Sequence, residues 1–87
     1  MKPNVIVYSQ PYCDSCVTVK RFLDENGVKY SVKDIREDTE AYDRLVGLGY
    51  RGTPVVEIED GAHWGFTGPK SITIDLLNLL RQAGLTS

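Results

Sequence analysis

Cys13 and Cys16 are the only cysteines in this 87-residue chain, and they stand three positions apart in the stretch YSQPYCDSC. Sulfur at that spacing supports three kinds of chemistry: a reversibly oxidised dithiol, half of a metal site, or a short structural clip. A tetrahedral zinc site needs four ligands, yet the rest of the chain offers one histidine, His63, scattered carboxylates and no second C-x-x-C. A permanent clip would close a very short loop, and in a reducing compartment it would tend to be reduced. Two inert buried cysteines fit the composition, but Pro11 in the turn before them favours exposure of one. The working dithiol is the strongest reading.

Its polarity depends on the element that carries it. Val5-Ile6-Val7-Tyr8 is a β-branched run that stops at Ser9-Gln10-Pro11, which suits a buried strand entering a loop. From Ser15 to Asn26 the residues Cys16, Val19, Phe22 and Leu23 recur at helical spacing, and Asn26-Gly27 is a stop signal. Cys13 therefore stands at a helix start, where unpaired N–H groups and the macrodipole favour a thiolate. It is expected to be the exposed nucleophile, with Cys16, one turn further in, as the shielded resolving thiol. Lowering a thiol pKa from about 8.5 to about 6.5 raises the thiolate fraction at neutral pH roughly 25-fold and lowers nucleophilicity about 8-fold. The larger gain is to Cys13 as a leaving group.

The remaining elements must frame this pair. Val28, Tyr30, Val32 and Asp34 alternate with Lys29, Ser31 and Lys33, predicting a second strand over 28–34. Acids at 37–40 open a helix that carries Ala41, Leu45 and Leu48 and ends at the glycines 47, 49 and 52. Val55 to Ile58 is a third strand, Glu59-Asp60-Gly61 a tight turn, and Ala62 to Phe66 the returning fourth strand. Ile72, Leu76, Leu79, Leu80 and Ala83 recur at helical spacing behind Pro69. The order is β-α-β-α-β-β-α, an α/β fold: a four-stranded mixed sheet with helices on both faces.

Composition limits what such a fold can do. A chain of 87 residues buries about 60% of its unfolded surface, so residues 1–87 are read as a single domain. Hydrophobic residues make up 41% and charged residues 25%, and no apolar run approaches the ~20 residues that span a bilayer. The expectation is a soluble protein without a membrane partner. Met1-Lys2-Pro3-Asn4 leads into an apolar run too short for a secretory leader, so a cytoplasmic setting is the default. With a net charge of −2 and ten scattered basic residues, nucleic acid is not expected as a partner.

Thr53-Pro54 opens the third strand, where proline removes a ladder donor. An ordinary loop-to-strand proline is one reading. A second is a bend that leaves the backbone of Thr53 free to pair with an extended substrate beside the cysteines.

Strand, C-x-x-C at a helix start, strand, helix, Thr-Pro, hairpin and terminal helix together resemble the glutaredoxin branch of the thioredoxin superfamily. The run Leu45-Val46-Gly47-Leu48-Gly49-Tyr50 before Thr53-Pro54-Val55-Val56, with His63-Trp64-Gly65-Phe66 and Pro69, is similar to the NrdH-type redoxins. That resemblance implies a dithiol electron carrier that receives electrons from thioredoxin reductase, ultimately from NADPH, and reduces class Ib ribonucleotide reductase or another disulfide protein. It implies Cys13 as the attacking thiol, Cys16 as the resolver, and Tyr12, Thr53, Pro54, Trp64, Gly65 and Phe66 as substrate contacts. Trp64 reads equally as an aromatic cover on the last strand, and His63 as a solvated strand residue. No organic cofactor or metal is implied, and a monomer is expected.

Departures from the pattern carry their own expectations. The family commonly has lysine where this chain has Gln10, and Asp14 places a negative charge between the cysteines, which disfavours the thiolate. The couple is therefore expected to be more reducing than one with a basic neighbour. W-S-G-F-R-P is altered to Trp64-Gly65-Phe66-Thr67-Gly68-Pro69, without the arginine. Gly68-Pro69-Lys70-Ser71 offers no acid for the amine of glutathione, which argues against a dedicated glutathione site. Two alternatives remain: a glutaredoxin dependent on glutathione or another low-molecular-weight thiol, and a redox-responsive binding module.

Overall fold

The structure, a computed structural model, describes residues 3–86. The reading of Met1-Lys2 as a leaderless start lies outside the described residues.

Strand β1 (Val5–Ser9) is followed by α1 (Asp14–Glu25), β2 (Ser31–Asp34), α2 (Thr39–Gly47), β3 (Val55–Ile58) and β4 (His63–Gly65). A last helix, α3, spans residues 69–82: an α turn Pro69–Ser71, a π segment Ile72–Leu76 and an α segment Leu77–Gln82. The strands lie in the order β2-β1-β3-β4, with β1 parallel to β2 and antiparallel to β3, and β3 antiparallel to β4. This is the mixed α/β architecture expected from the sequence.

Alternation along the two central strands builds two cores. Val5 and Val7 of β1, with Val56 and Ile58 of β3, face a layer made by Val19 and Leu23 of α1 and Ile72, Leu76 and Leu80 of α3. Tyr8 and Val55 face the other way, onto Ala41 and Leu45 of α2. Each Val, Leu or Ile among them, taken fully from water, contributes about 1.5–3 kcal/mol before conformational entropy is subtracted. The sheet thus fixes the end of β1, where the cysteines stand, relative to the start of β3, where Thr53-Pro54 stands.

The clearest differences from the sequence reading lie in β2, β4 and the terminal helix. β2 begins at Ser31 rather than Val28, because Val28 belongs to the end of α1. Its N–H bonds to Leu23 O at 2.9 Å and Gly27 N–H to Asp24 O at 3.1 Å. With Gly27 at φ 69 this closes the helix in the manner of a Schellman turn, and Val28 is buried against the helix it terminates. Its apolar character looked like the first residue of an alternating strand. Val32, on the edge strand, is half exposed. β4 is shorter than 62–66, although Phe66 N–H still bonds to Pro54 O at 3.2 Å. The π segment inside the terminal helix left no mark in the helical spacing.

A polar network links the exposed Arg44 of α2 to the buried Glu57 and Tyr8 of the sheet. Tyr8 Oη donates to Glu57 Oε1 at 2.6 Å, and the Arg44 guanidinium reaches the same carboxylate through Nε at 3.1 Å and an Nη at 2.5 Å. Hydrogen bonding from Arg44 holds the Glu57 carboxyl below its ordinary 4.5, while burial, helped by Glu57, pushes the Tyr8 phenol up to about 12. A depressed carboxyl pKa stabilises the fold above the unfolded value and loses that contribution as pH falls through the folded one. The raised phenol acts at the other end, its contribution complete below pH ~10 and lost as pH rises toward 12. Arg44→Met is therefore expected to lower the urea midpoint at neutral pH, with the difference from the parent shrinking as pH falls through the depressed Glu57 pKa and the carboxylate is lost. Denaturation followed by the single tryptophan checks this.

Candidate active site

β1 delivers the chain at Ser9, and residues 10–13 turn it into α1. Cys13 is the N-cap residue of that helix, extended at φ −116 and ψ 99, and its sulfur accepts the Cys16 N–H at 3.2 Å. A cysteine thus fills the place where an N-cap hydroxyl or carboxylate ordinarily satisfies an orphan helix N–H. Cys13 and Cys16 are joined as a disulfide, with Cα atoms 5.2 Å apart. The two sulfurs differ in access: Cys16 is 1% exposed, whereas Cys13 is only partly buried. Tyr12, at φ 60 and fully exposed, stands free of the surface beside Cys13.

Three neutral groups converge on Cys13 Sγ. Besides the Cys16 N–H, the Ser15 hydroxyl lies 3.6 Å away and the Thr53 hydroxyl also 3.6 Å, donating to the sulfur. Thr53 Oγ1 in turn accepts from Gln10 Nε2 at 3.0 Å. The Thr53-Pro54 peptide is cis, and Pro54 is buried. Thr53 precedes the first ladder pairs of β3, in which Val55 stands opposite Tyr8 and Gly65. Its backbone therefore lies outside the ladder at the edge of the cysteine site.

The other residues singled out from the sequence separate into core and surface. Trp64 is 6% exposed and belongs to the core under α1 and α3, its ring edge-on to Phe66 with centroids 6.3 Å apart. Gly65 is a close-approach glycine. A Cβ there would lie 2.3 Å from the Tyr50 ring, which in turn shares a 2.6 Å hydrogen bond between its Oη and His63 Nδ1. Gly65→Ala must displace that ring and is expected to cost about 1–3 kcal/mol, read as a lower thermal midpoint. Phe66 borders two clefts. One, of about 380 Å³, runs from Asp14 and Ser15 along α1 to Phe22, Pro69 and Ile72. The other, of about 260 Å³, lies between Tyr50, Arg51, Thr53, Pro54 and Thr67.

Sequence reasoning missed the parts played by Gln10, Ser15 and Tyr50. Gln10 was legible only as a missing positive charge, and Ser15 as a helix-start residue. Their polar types beside C-x-x-C were a signal, but the partner of Gln10 lies 43 positions away. No local pattern reaches that far.

Comparison with known proteins agrees with this geometry. The glutaredoxin family model matches residues 5–64. The glutaredoxin-like protein NrdH of Lactococcus lactis is 34% identical over 71% of this chain and 86% of its own length. The N-acetyl-S-hydroxy-L-cysteine reductase of Bacillus subtilis is 36% identical over 87% of this chain and 81% of its own. Among solved structures, the NrdH-redoxin of Escherichia coli, described as glutaredoxin-like with a thioredoxin-like activity profile, superposes with a TM-score of 0.69 at 26% identity, covering 80% of this chain and 91% of that one. A four-stranded mixed sheet, a C-x-x-C at the mouth of its first helix and these matches assign the chain: it belongs to the glutaredoxin family of the thioredoxin superfamily, as an NrdH-like thiol oxidoreductase.

Proposed function

We propose that the protein is a dithiol electron carrier that reduces protein disulfides, with thioredoxin reductase as its donor and class Ib ribonucleotide reductase as its acceptor. The observation that carries this reading is the asymmetry of the pair, a partly exposed Cys13 in front of a buried Cys16, beside a Thr53 backbone outside the ladder. The Cys13 thiolate attacks one sulfur of the partner's disulfide, and the other leaves as a thiolate that takes up a proton. Cys16, deprotonated, then attacks Cys13 Sγ and expels the second partner thiolate. Two electrons and two protons pass to the partner, and the Cys13–Cys16 disulfide forms. A reductase reverses the sequence.

NADPH oxidation tests the assignment, measured with thioredoxin reductase and separately with glutathione plus its reductase, on a small disulfide substrate. Turnover with thioredoxin reductase alone is expected. Turnover with glutathione alone overturns the donor, and turnover with neither favours the redox-responsive binding module.

A second reading has its own support in the Bacillus subtilis relative, named for a small S-hydroxy substrate, and in the cleft that Arg51 shares with Thr53 and Pro54. The Cys13 thiolate would attack the sulfenyl sulfur and release hydroxide, which is protonated to water; Cys16 would then expel N-acetylcysteine. The Arg51 guanidinium suits the substrate carboxylate. Arg51→Ala raising KM for that substrate alone would favour this reading.

A further inference from the structure

The sulfur that must exist as a thiolate stands among neutral donors, and one of them, the Thr53 hydroxyl, arrives from the segment before β3. A threonine hydroxyl has one proton and two lone pairs. When Gln10 Nε2 donates to Thr53 Oγ1 at 3.0 Å, a lone pair is used and the Thr53 proton is free for Cys13 Sγ, 3.6 Å away. The amide has no proton-accepting role in that arrangement, so it orients the hydroxyl toward the sulfur. The opposite amide orientation would put Oε1 against Thr53 and draw the same proton away from the sulfur. Reduction turns Cys13 from a weak acceptor into a charged one, which strengthens each of its hydrogen bonds.

We propose that Gln10 is a positioning residue that acts through Thr53: the relay Gln10 Nε2–H to Thr53 Oγ1–H to Cys13 Sγ stabilises the attacking thiolate without a cation. This rests on the reading of Cys13 as the attacking thiol. It gives Gln10 a role beyond the absence of a lysine. It also makes the nucleophile's ionisation depend on the segment that carries Thr53-Pro54, so whatever docks against that segment acts on the thiolate.

The test is the pH dependence of iodoacetamide alkylation at Cys13 in the Cys16→Ser background, with circular dichroism as a control for folding. Thr53→Val is expected to raise the Cys13 pKa by about one unit, the size of one charge-assisted hydrogen bond lost from the thiolate. Thr53→Ser, which keeps the hydroxyl, should hold the pKa within about 0.3 unit of the parent. Gln10→Ala should raise it by about half a unit, and should add nothing further in Thr53→Val. A pKa unchanged or lowered by Gln10→Ala overturns the relay, the lowered value identifying the opposite amide orientation. So do equal effects of Gln10→Ala with and without the Thr53 hydroxyl, which would make it a general structural effect. Alkylation needs no reductase or acceptor, so an error in the assigned partners leaves this outcome untouched.

Discussion

Cys13→Ser is expected to lower disulfide reductase turnover by roughly three orders of magnitude or more, because the serine hydroxyl is neither ionised near neutrality nor a competent leaving group for exchange. Cys16→Ser should behave differently. Cys13 remains accessible and still attacks, but the mixed disulfide cannot be released by the neighbouring sulfur, so a one-to-one adduct accumulates and appears in non-reducing mass spectrometry. The contrast follows from burial: Cys16 is 1% exposed, whereas Cys13 is only partly buried. An adduct on the Cys13→Ser protein, or none on the Cys16→Ser protein, would contradict the assigned polarity.

Trp64→Ala carries the largest expected loss of stability. Truncating a buried aromatic costs about 3–5 kcal/mol, against a total of roughly 4–13 kcal/mol for a chain of this length. At about 4–8 °C per kcal/mol, the thermal midpoint should fall by more than ~12 °C. Trp64→Phe should cost much less. It keeps a ring against Phe66 and Val56 and removes Nε1–H, a buried donor without a hydrogen-bond partner among the described residues. Because Trp64 is 94% buried, its effect on activity should follow its effect on folding. A Trp64→Ala protein that melts like the parent yet fails with its partner would instead make this side chain a docking residue.

Element order was legible because the apolar periodicities of β1, α1, α2 and α3 each match one structural period, and the glycines and prolines mark the stops. Val28 misled because a helix terminator and the first residue of an edge strand both need an apolar side chain. The family resemblance puts Trp64, Gly65 and Phe66 together as substrate contacts, yet along a strand successive side chains point to opposite faces. Trp64 accordingly enters the core, while Gly65 meets Tyr50 on the other face. The C-x-x-C could be placed at a helix start from spacing alone. The hydroxyls around its sulfur could not, since Thr53 comes within reach of Cys13 only when β1 and β3 pair.

The two sulfurs are unequal in exposure, and one labelling experiment reads that inequality directly. The fully reduced protein is treated with substoichiometric iodoacetamide near neutral pH, and tandem mass spectrometry locates the label. The predicted result is carbamidomethylation of Cys13 in large excess over Cys16, by about tenfold or more, as expected for a partly exposed thiolate at a helix start in front of a buried thiol. Labelling of Cys16 first, or of both at equal rates, would contradict it.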